Sequence, residues 1–479
     1  MTIARPALTA VPLCVDLDGT YTRSDSSWDM LVTYLLSSPM ATLKLALWAM
    51  KGRSHLKHEL MAVVMPNVMT FPLNETVVDW IVAQAADRPV YLVSGAPQTL
   101  VDQLVTSSPH FKGGFGSTRT RNLVAHEKAQ LLIEQFGQRG FDYVGNGAQD
   151  LPVWREARLA FAVDVPSHIK MRASSAGVIL TELQKKPRVS VGAVLRSVRL
   201  PHVIKNLLCF VPLLAGHKWG EPRDWQLGTL TFLVLCVGAF LTYVLNDLRD
   251  LESDRQHRNK RTRPFAAGTL PSGFGLGFAA VLSTVWITLL ALLPPQARAF
   301  SLLQVAASLI YSAWVKRVAV LDLIWLGLLY ANRVIIGGLA IMLTPTPWLI
   351  GFTLFFFVGL ASLKRFSEIA VVDVPTRLPG RGYTGQDRDM IRLMGYASSS
   401  ISIVILAIYI TQPDVSRQYN RPEALWLLGI VQFFWTSRTW LQASRGVVIE
   451  DPVLYVLKDR ISRWSIAIAA FVFFAAVYK

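Results

Sequence analysis

From about residue 195 onward the chain alternates long apolar runs with short polar connectors. Nine such runs fall near 203–217, 226–245, 274–293, 299–314, 318–343, 347–363, 394–411, 424–440 and 462–478. Most have the length of a helix that crosses a membrane, and the spacing predicts nine transmembrane helices. The first 190 residues have a different texture. Short apolar runs such as Val11–Val15 and the Tyr91-Leu92-Val93 segment read as buried strands, and a mostly helical stretch occupies 21–90. Within it Met30–Met50 is apolar but is broken by Ser37-Ser38-Pro39, which predicts two helices of a globular region rather than a span.

Composition agrees with this division into a soluble α/β part and an all-α polytopic membrane part. Apolar residues make up 52% and charged residues 17%, with a mean hydropathy of +0.37. A net charge of +16 would suit nucleic acid as a partner, but the position of the charges excludes it. Connectors at 249–263, 316–317, 364–392 and 438–463 carry 19 Lys and Arg, against 5 in the alternate set. That is the positive-inside pattern, with the N-terminus cytoplasmic and the C-terminus outside. Met1–Ala10 is too short for a secretory signal, so the N-terminal region is expected to stay in the cytoplasm. Cys14, Cys209 and Cys236 lie in apolar runs without ligand or disulfide spacing.

Candidate chemistry concentrates where the apolar run Leu227–Leu245 ends. From Asn246 to Pro264 the chain reads N-D-L-R-D-L-E-S-D-R-Q-H-R-N-K-R-T-R-P. Asp247, Asp250 and Asp254 are spaced i, i+3, i+7, which on one helix gathers them in an arc of about 60°. Like charges on one face repel unless a cation joins them. Carboxylate oxygens are the ligands that Mg²⁺ shares with phosphates. Arg255, Arg258, Lys260, Arg261 and Arg263 follow at once and suit phosphate oxygens. A loop that merely sets topology accounts for the arginines but not for three aspartates on one face. The pattern predicts a Mg²⁺-dependent site for a diphosphate at the membrane edge.

Two further connectors, 364–392 and 438–463, are too polar and long to be simple links. Charged residues also fall inside predicted spans: Lys205, Asp322 and Arg333. Such charges line a cavity or pair with one another. For Lys205, snorkelling to the interface fits equally well. For Asp322, about one turn beyond Arg317, a purely structural pairing with that residue is the alternative.

The block N246-D-L-R-D250-L-E-S-D254 resembles the first aspartate motif of the UbiA superfamily of intramembrane prenyltransferases, and the resemblance extends over 195–479. Members carry a second aspartate motif after the sixth helix. Here that connector begins Lys364-Arg365-Phe366-Ser367-Glu368, and the aspartate pair is missing. This departure, with R199-L-P-H-V-I-K205-N206, K-R-T-R-P-F-A-A-G at 260–268, Y311-S-A-W-V-K-R and R-G-V-V-I-E-D451-P-V-L-Y-V-L-K-D459-R460, resembles the decaprenyl-phosphate phosphoribosyltransferase branch. The resemblance implies phosphoribosyl pyrophosphate as donor, a polyprenyl phosphate as acceptor, Mg²⁺ as cofactor and a bacterial-type inner membrane. It implies substrate contacts from Lys205, Asn206, Asn246, Arg249, Lys316, Asp451 and Arg460 beside the basic residues already named. The donor's 5-phosphate calls for a second basic cluster, assigned to Lys364, Arg365 and Arg381, with Glu368 as the second-loop metal or ribose contact.

V11-P-L-C-V-D16-L-D18-G-T20 resembles the first motif of the haloacid dehalogenase (HAD) phosphatases. Ser94 in Y-L-V-S-G, Lys128 in H-E-K-A, and Asn146 and Asp150 in G-N-G-A-Q-D follow in the family's order. The resemblance implies a Rossmann-type domain over 1–185 with a helical cap at about 21–90, a linker at 186–198 and the transferase domain at 199–479. It makes Asp16 the nucleophile and Asp18 the acid, with Ser94 and Lys128 on the phosphoryl group. Asp16, Asn146 and Asp150 would hold Mg²⁺. Asn146 stands where the family has Asp and brings no charge. Two readings follow. One is a phosphoribosyltransferase whose fused phosphatase removes the ribose 5-phosphate. The other is a prenyltransferase using a prenyl diphosphate and an aromatic acceptor, with a non-catalytic HAD region.

Overall fold

The computed structural model describes residues 10–37, 40–184, 190–257, 259–370, 377–378, 380–447 and 451–477. Six strands, β1 Leu13–Asp16, β2 Val90–Pro97, β3 Gly113–Ser117, β4 Asp142–Gly145, β5 Ala160–Val163 and β6 Leu180–Gln184, form one sheet in the order β3-β2-β1-β4-β5-β6. All its pairings are parallel, with Leu13 beside Val90 on one side and Asp142 on the other. β1 and β4 are buried throughout, as strands covered on both faces must be. Strand order reverses at β1, so the crevice for a ligand opens at the carboxyl ends of β1, β2 and β4.

Between β1 and β2 lie α1 Ser26–Ser37, α2 Ala41–Met50, α3 Arg53–Val64 and α4 Glu75–Ala85. α1 ends at Ser37 and α2 begins at Ala41; Ser38 and Pro39 of the expected break lie outside the described residues. α4 contacts β2 and β6, so it covers the sheet, and the inserted cap narrows to α1–α3 and a short 3₁₀ turn at Val68–Thr70. The remaining helices of the domain are α5 Gln98–Ser107, α6 His126–Phe136, α7 Leu151–Glu156 and α8 Ser167–Ser175.

The helical part comprises α9 Val191–Ser197, a 3₁₀ stretch Leu200–Phe210 leading into α10 Val211–Ala215, α11 Pro222–Arg249, α12 Leu251–Gln256, α13 Ser272–Ala291, α14 Pro295–Ala313, α15 Leu321–Ala340, α16 Pro347–Ile369, α17 Arg388–Thr411, α18 Pro413–Ser416, α19 Trp426–Ser444, α20 Pro452–Lys458 and α21 Arg460–Val477. All nine expected segments are helical. Among the described residues, however, seven helices are long and apolar enough to cross a membrane, or eight if the bent pair Val191–Ser197 and Leu200–Ala215 counts as one. The first segment departs because Pro201 and Pro212 interrupt the ladder and Arg199 takes a left-handed φ of 52°. α19 departs because Gln432, Thr436, Ser437, Arg438, Thr439 and Gln442 dilute its apolar surface.

The chain divides into two compact units, Met1–Val198 with Tyr243–Ala280, and Arg199–Thr242 with Val281–Lys479. The acidic connector after α11 thus belongs with the N-terminal unit rather than with the remaining helices. Specific polar ties explain this placement. Asp29 of α1 is buried and accepts from Arg255 Nη2 and from Ser272 Oγ, each at 2.7 Å.

Candidate functional site

In the first unit, the end of β1 delivers Asp16 into the crevice. Lys128 Nζ, brought by α6, donates to Asp16 Oδ1 at 2.6 Å and to Tyr143 Oη at 2.9 Å. Tyr143 donates to Asp150 Oδ1 at 2.7 Å. Asp150 Oδ2 accepts from the backbone N–H groups of Asn146 at 2.9 Å and Gly147 at 3.0 Å. With both oxygens engaged, Asp150 supports the loop, and direct metal ligation would have to come from Asp16 and Asn146. Asp16 Oδ2 accepts from Thr20 Oγ1 at a long 3.5 Å, and the Leu17 N–H also bonds the carboxylate. The Asn146 amide packs where Gly19, at φ +75°, has no side chain; a Cβ there would stand 2.0 Å from Asn146 Nδ2. These oxygen donors are of the hard type that Mg²⁺ takes, with less charge than a second aspartate would bring.

Burial governs the proton affinities in this crevice. It raises Asp16 to about 6, with Lys128 opposing and Asp150 adding to the shift. Asp18, half-buried, is raised well above its ordinary value by loss of solvent and by the nearby Asp25. That suits a group which carries a proton to a leaving oxygen. Asp18 is oriented by Ser26, whose N–H and hydroxyl donate to it at 2.7 and 3.2 Å. Burial would lower Lys128, but Asp16 and Asp150 hold it above the usual lysine value. Ser94 lies within β2, one residue beyond the strand's last pairing with β1, and is buried, its Oγ accepting from Ala96 N–H at 3.0 Å. Of the predicted set, Asp16, Lys128 and Asp150 are joined by hydrogen bonds and ion pairs, Asn146 packs against the Asp16–Asp18 loop at Gly19, and Ser94 follows the β2 residue paired with Asp16.

The acidic connector is also ordered. Asp250 caps α12, so the helix is interrupted at the central aspartate of the motif. Asp247 and Asp254 are buried and still converge: Arg263 Nη1 donates to Asp247 Oδ1 at 3.2 Å and to Asp254 Oδ2 at 2.6 Å. Lys260 Nζ stands 4.0 Å from Asp254 Oδ1. Burial raises the Asp254 carboxyl above its ordinary value; Arg263 opposes that shift and Asp247 adds to it. Two buried carboxylates thus converge on the Arg263 guanidinium, with the Lys260 ammonium beside Asp254, a convergence of the kind a metal cradle needs. Arg255 departs from its expected role. It faces Asp29, Ala266 O at 3.3 Å and the Phe71 ring rather than the aspartates. Arg249 and Arg261 are exposed, Asn246 is half-buried, and Arg258 lies outside the described residues.

In the second unit, Lys205 Nζ donates to Asp451 Oδ2, and His202 Nδ1 stands 3.3 Å from the same oxygen. Asp451 Oδ1 caps α20 through the N–H groups of Val453 and Leu454. Burial would raise the Asp451 carboxyl, but the His202 and Lys205 contacts and the nearby Lys364 charge hold it well below the usual range. Lys205 is thus paired, which resolves the choice between snorkelling and pairing. Asn206 donates to Cys236 Sγ at 3.4 Å and accepts from Arg333 Nε at 3.0 Å.

Arg365 is fully buried. It donates to Asp322 Oδ2 at 2.6 Å and to Glu368 Oε2. Tyr383 Oη donates to Asp322 Oδ1 at 2.5 Å. The alternative partner of Asp322, Arg317, is exposed instead. Arg365 and Glu368 neutralise each other, so the structure gives Arg365 to the interior rather than to a substrate phosphate. Arg381 donates to Tyr311 Oη at 3.0 Å; Lys316 is half-buried and Arg460 exposed.

Sequence reasoning missed Tyr143, Asp29 and Lys57. Tyr143 lies on β4, three positions before Asn146, which follows the strand's end, a signal that was available. Lys57, on α3, donates to Gly95 O at 2.7 Å. Burial lowers its proton affinity against the pull of Asp18 and Asp25. No spacing in the sequence joins it to the crevice.

The comparisons with known proteins fit these sites. Residues 207–375 match the UbiA prenyltransferase family. The uncharacterized protein y4nM of Sinorhizobium fredii is 33% identical over 98% of this chain and 91% of its own, so the likeness includes both the N-terminal region and the helices. The nodulation protein NoeC of Azorhizobium caulinodans is 31% identical over 54% of this chain and 84% of its own. The decaprenyl-phosphate phosphoribosyltransferase of Mycolicibacterium smegmatis is 24% identical over 60% of this chain and 95% of its own. With an aspartate connector of the expected form and a relative matched along nearly its whole length, the chain belongs to the UbiA prenyltransferase family.

Proposed function

We propose that the chain transfers phosphoribose from phosphoribosyl pyrophosphate to a polyprenyl phosphate at the cytoplasmic membrane face, with Mg²⁺, and that its HAD-like region then removes the ribose 5-phosphate. The observation that carries the first step is the convergence of buried Asp247 and Asp254 on Arg263. The likeness to a protein named for decaprenyl-phosphate phosphoribosyl transfer supports the choice of donor. The stretch from Lys364, in the last turns of α16, into the connector has no aspartate pair, which favours a donor with a second phosphate over a plain prenyl diphosphate.

When bound, Mg²⁺ supplies charge neutralisation, of pyrophosphate in the first step and of the phosphoryl group in the second. Asp247, Asp250 and Asp254 would hold it for the first, and Asp16 and Asn146 for the second. In the transfer, a lipid phosphate oxygen forms a bond to ribose C1 as pyrophosphate departs with its electron pair. The chain's part is to position and neutralise, so no general base is required. In the second step an Asp16 oxygen attacks phosphorus, the ribose 5-oxygen leaves, and Asp18 gives it a proton. Water then cleaves the aspartyl phosphate, with Asp18 taking a proton from it. Lys128 and Ser94 hold the phosphoryl oxygens.

The test is a membrane assay with labelled phosphoribosyl pyrophosphate and polyprenyl phosphate. Labelled lipid should form with Mg²⁺ and not with a chelator. Asp254→Asn should lower turnover on the order of 100-fold, as loss of a charged contact made in the transition state does. Turnover of a prenyl diphosphate with an aromatic acceptor, and none of phosphoribosyl pyrophosphate, would favour the prenyltransferase reading.

A further inference from the structure

α2 is apolar on two opposite faces. Ala41, Leu45 and Trp48 turn inward, Ala41 as part of the domain core and the other two packed against it. On the other side Met40 is 58%, Leu43 57%, Leu47 52% and Met50 84% exposed. Their spacing places them within an arc of about 80° on the helix surface, opposite the packed face. A helix apolar all round is normally covered all round. Four large side chains in one exposed stripe therefore call for an apolar medium.

Three observations identify that medium as lipid. First, the cap is fixed to the end of an apolar span. Asp29 accepts from Ser272 Oγ, and Ser272 opens α13, whose mean hydropathy is 2.0. Trp28 lies against Gly273, where a Cβ would stand 2.8 Å from its ring, so only glycine allows this approach. The half-exposed Trp28 indole thus sits at the first turn of a membrane helix, where tryptophan concentrates. Second, the charges around the stripe have one sign. Lys44, Lys51 and Arg53 are exposed beside it, and no Asp or Glu occurs from Met30 to His58. Third, an apolar face with basic flanks is the composition of helices that lie in an anionic interface.

We propose that α2 rests in the cytoplasmic leaflet of the bilayer, with Leu43, Leu47 and Met50 among the acyl chains and Lys44 and Lys51 at anionic headgroups. The cap then holds the phosphatase crevice at the lipid surface, and a phosphate carried by a lipid reaches it without leaving the membrane. This seating depends on no enzymatic activity, and its test has no enzymatic readout.

The test uses the full chain in nanodiscs of phosphatidylcholine and phosphatidylglycerol. Cys14, Cys209 and Cys236 are buried, so Leu47→Cys labels selectively with a fluorophore; Gln135→Cys, on the exposed part of α6, serves as the aqueous reference. Nitroxide-bearing lipids should quench the label at 47 several-fold more than that at 135, and aqueous iodide should show the reverse order. Lys44→Glu with Lys51→Glu should weaken the lipid quenching. Equal iodide quenching at both sites, with none from nitroxide lipid, would overturn the proposal. So would shielding at 47 that grows with the number of chains per disc, which would make the occupant a second copy.

Discussion

Two buried clusters in this chain have nearly the same chemistry. In the N-terminal unit Lys128 faces Asp16 and Asp150, with Tyr143 bonded between. In the helical unit Arg365 faces Asp322 and Glu368, with Tyr383 bonded to Asp322. One cation, two carboxylates and a tyrosine make up each. The difference lies in what is left over. At Asp16 the side-chain hydrogen bond to Oδ2, from Thr20 Oγ1, is a long one of 3.5 Å, and the residue stands at the carboxyl end of a parallel sheet where a ligand fits. Both Asp322 oxygens are taken, by a guanidinium and a phenol, and the residue is fully buried. The first cluster has an atom to offer a substrate and the second does not. A charged residue in a functional-looking connector is thus available for chemistry only if its partners leave it so.

The largest expected effect comes from the closed cluster. Asp322→Ala leaves the Arg365 charge buried with Glu368 alone, and breaking such a pair costs about 3–5 kcal/mol. Thermal unfolding in detergent should show a markedly lowered transition. An unchanged transition with a weakened donor KM would return Arg365 to the substrate site. Next in size is its neighbour Lys364, half-buried near the Lys205–Asp451 pair. Lys364→Ala should raise the donor's KM about 10-fold, as expected for a charge-assisted phosphate contact, with little change in the lipid's KM or in melting. Equal effects on both substrates would remove Lys364 from the donor site. The smallest effects separate the tyrosines. Tyr383→Phe should lower stability by about 1–3 kcal/mol and leave both reactions alone. Tyr143→Phe should slow phosphate release several-fold, measured on isolated phosphorylated lipid, with transfer unchanged.

Much of this arrangement was legible in the sequence, where local rules decide it. The sheet's buried strands, the Asp16–Asp18 loop, the order of the phosphatase motifs and the positions of nine helical segments follow from periodicity and short motifs. The convergence of Asp247 and Asp254 followed from helical spacing, although the helix breaks at Asp250. What failed was partner choice over long separations. Arg255 meets Asp29 across 226 positions, and Arg365 meets Asp322 across 43. No local spacing encodes either contact. Of the nine expected spans, seven or eight are long and apolar enough among the described residues; α19 falls short because its Gln, Thr and Arg side chains lower its hydropathy.

The central claim is that an open Asp16 acts on the product of the same chain's transferase. Asp16→Asn keeps the shape of the side chain and its place beside Lys128 while removing the nucleophilic charge. In membranes supplied with labelled phosphoribosyl pyrophosphate, polyprenyl phosphate and Mg²⁺, the wild type should yield lipid-linked ribose without its 5-phosphate. The variant should accumulate the phosphorylated lipid, with the first step at its normal rate. Identical product profiles from the two proteins would contradict the account, and would leave the HAD-like region without a part in the reaction.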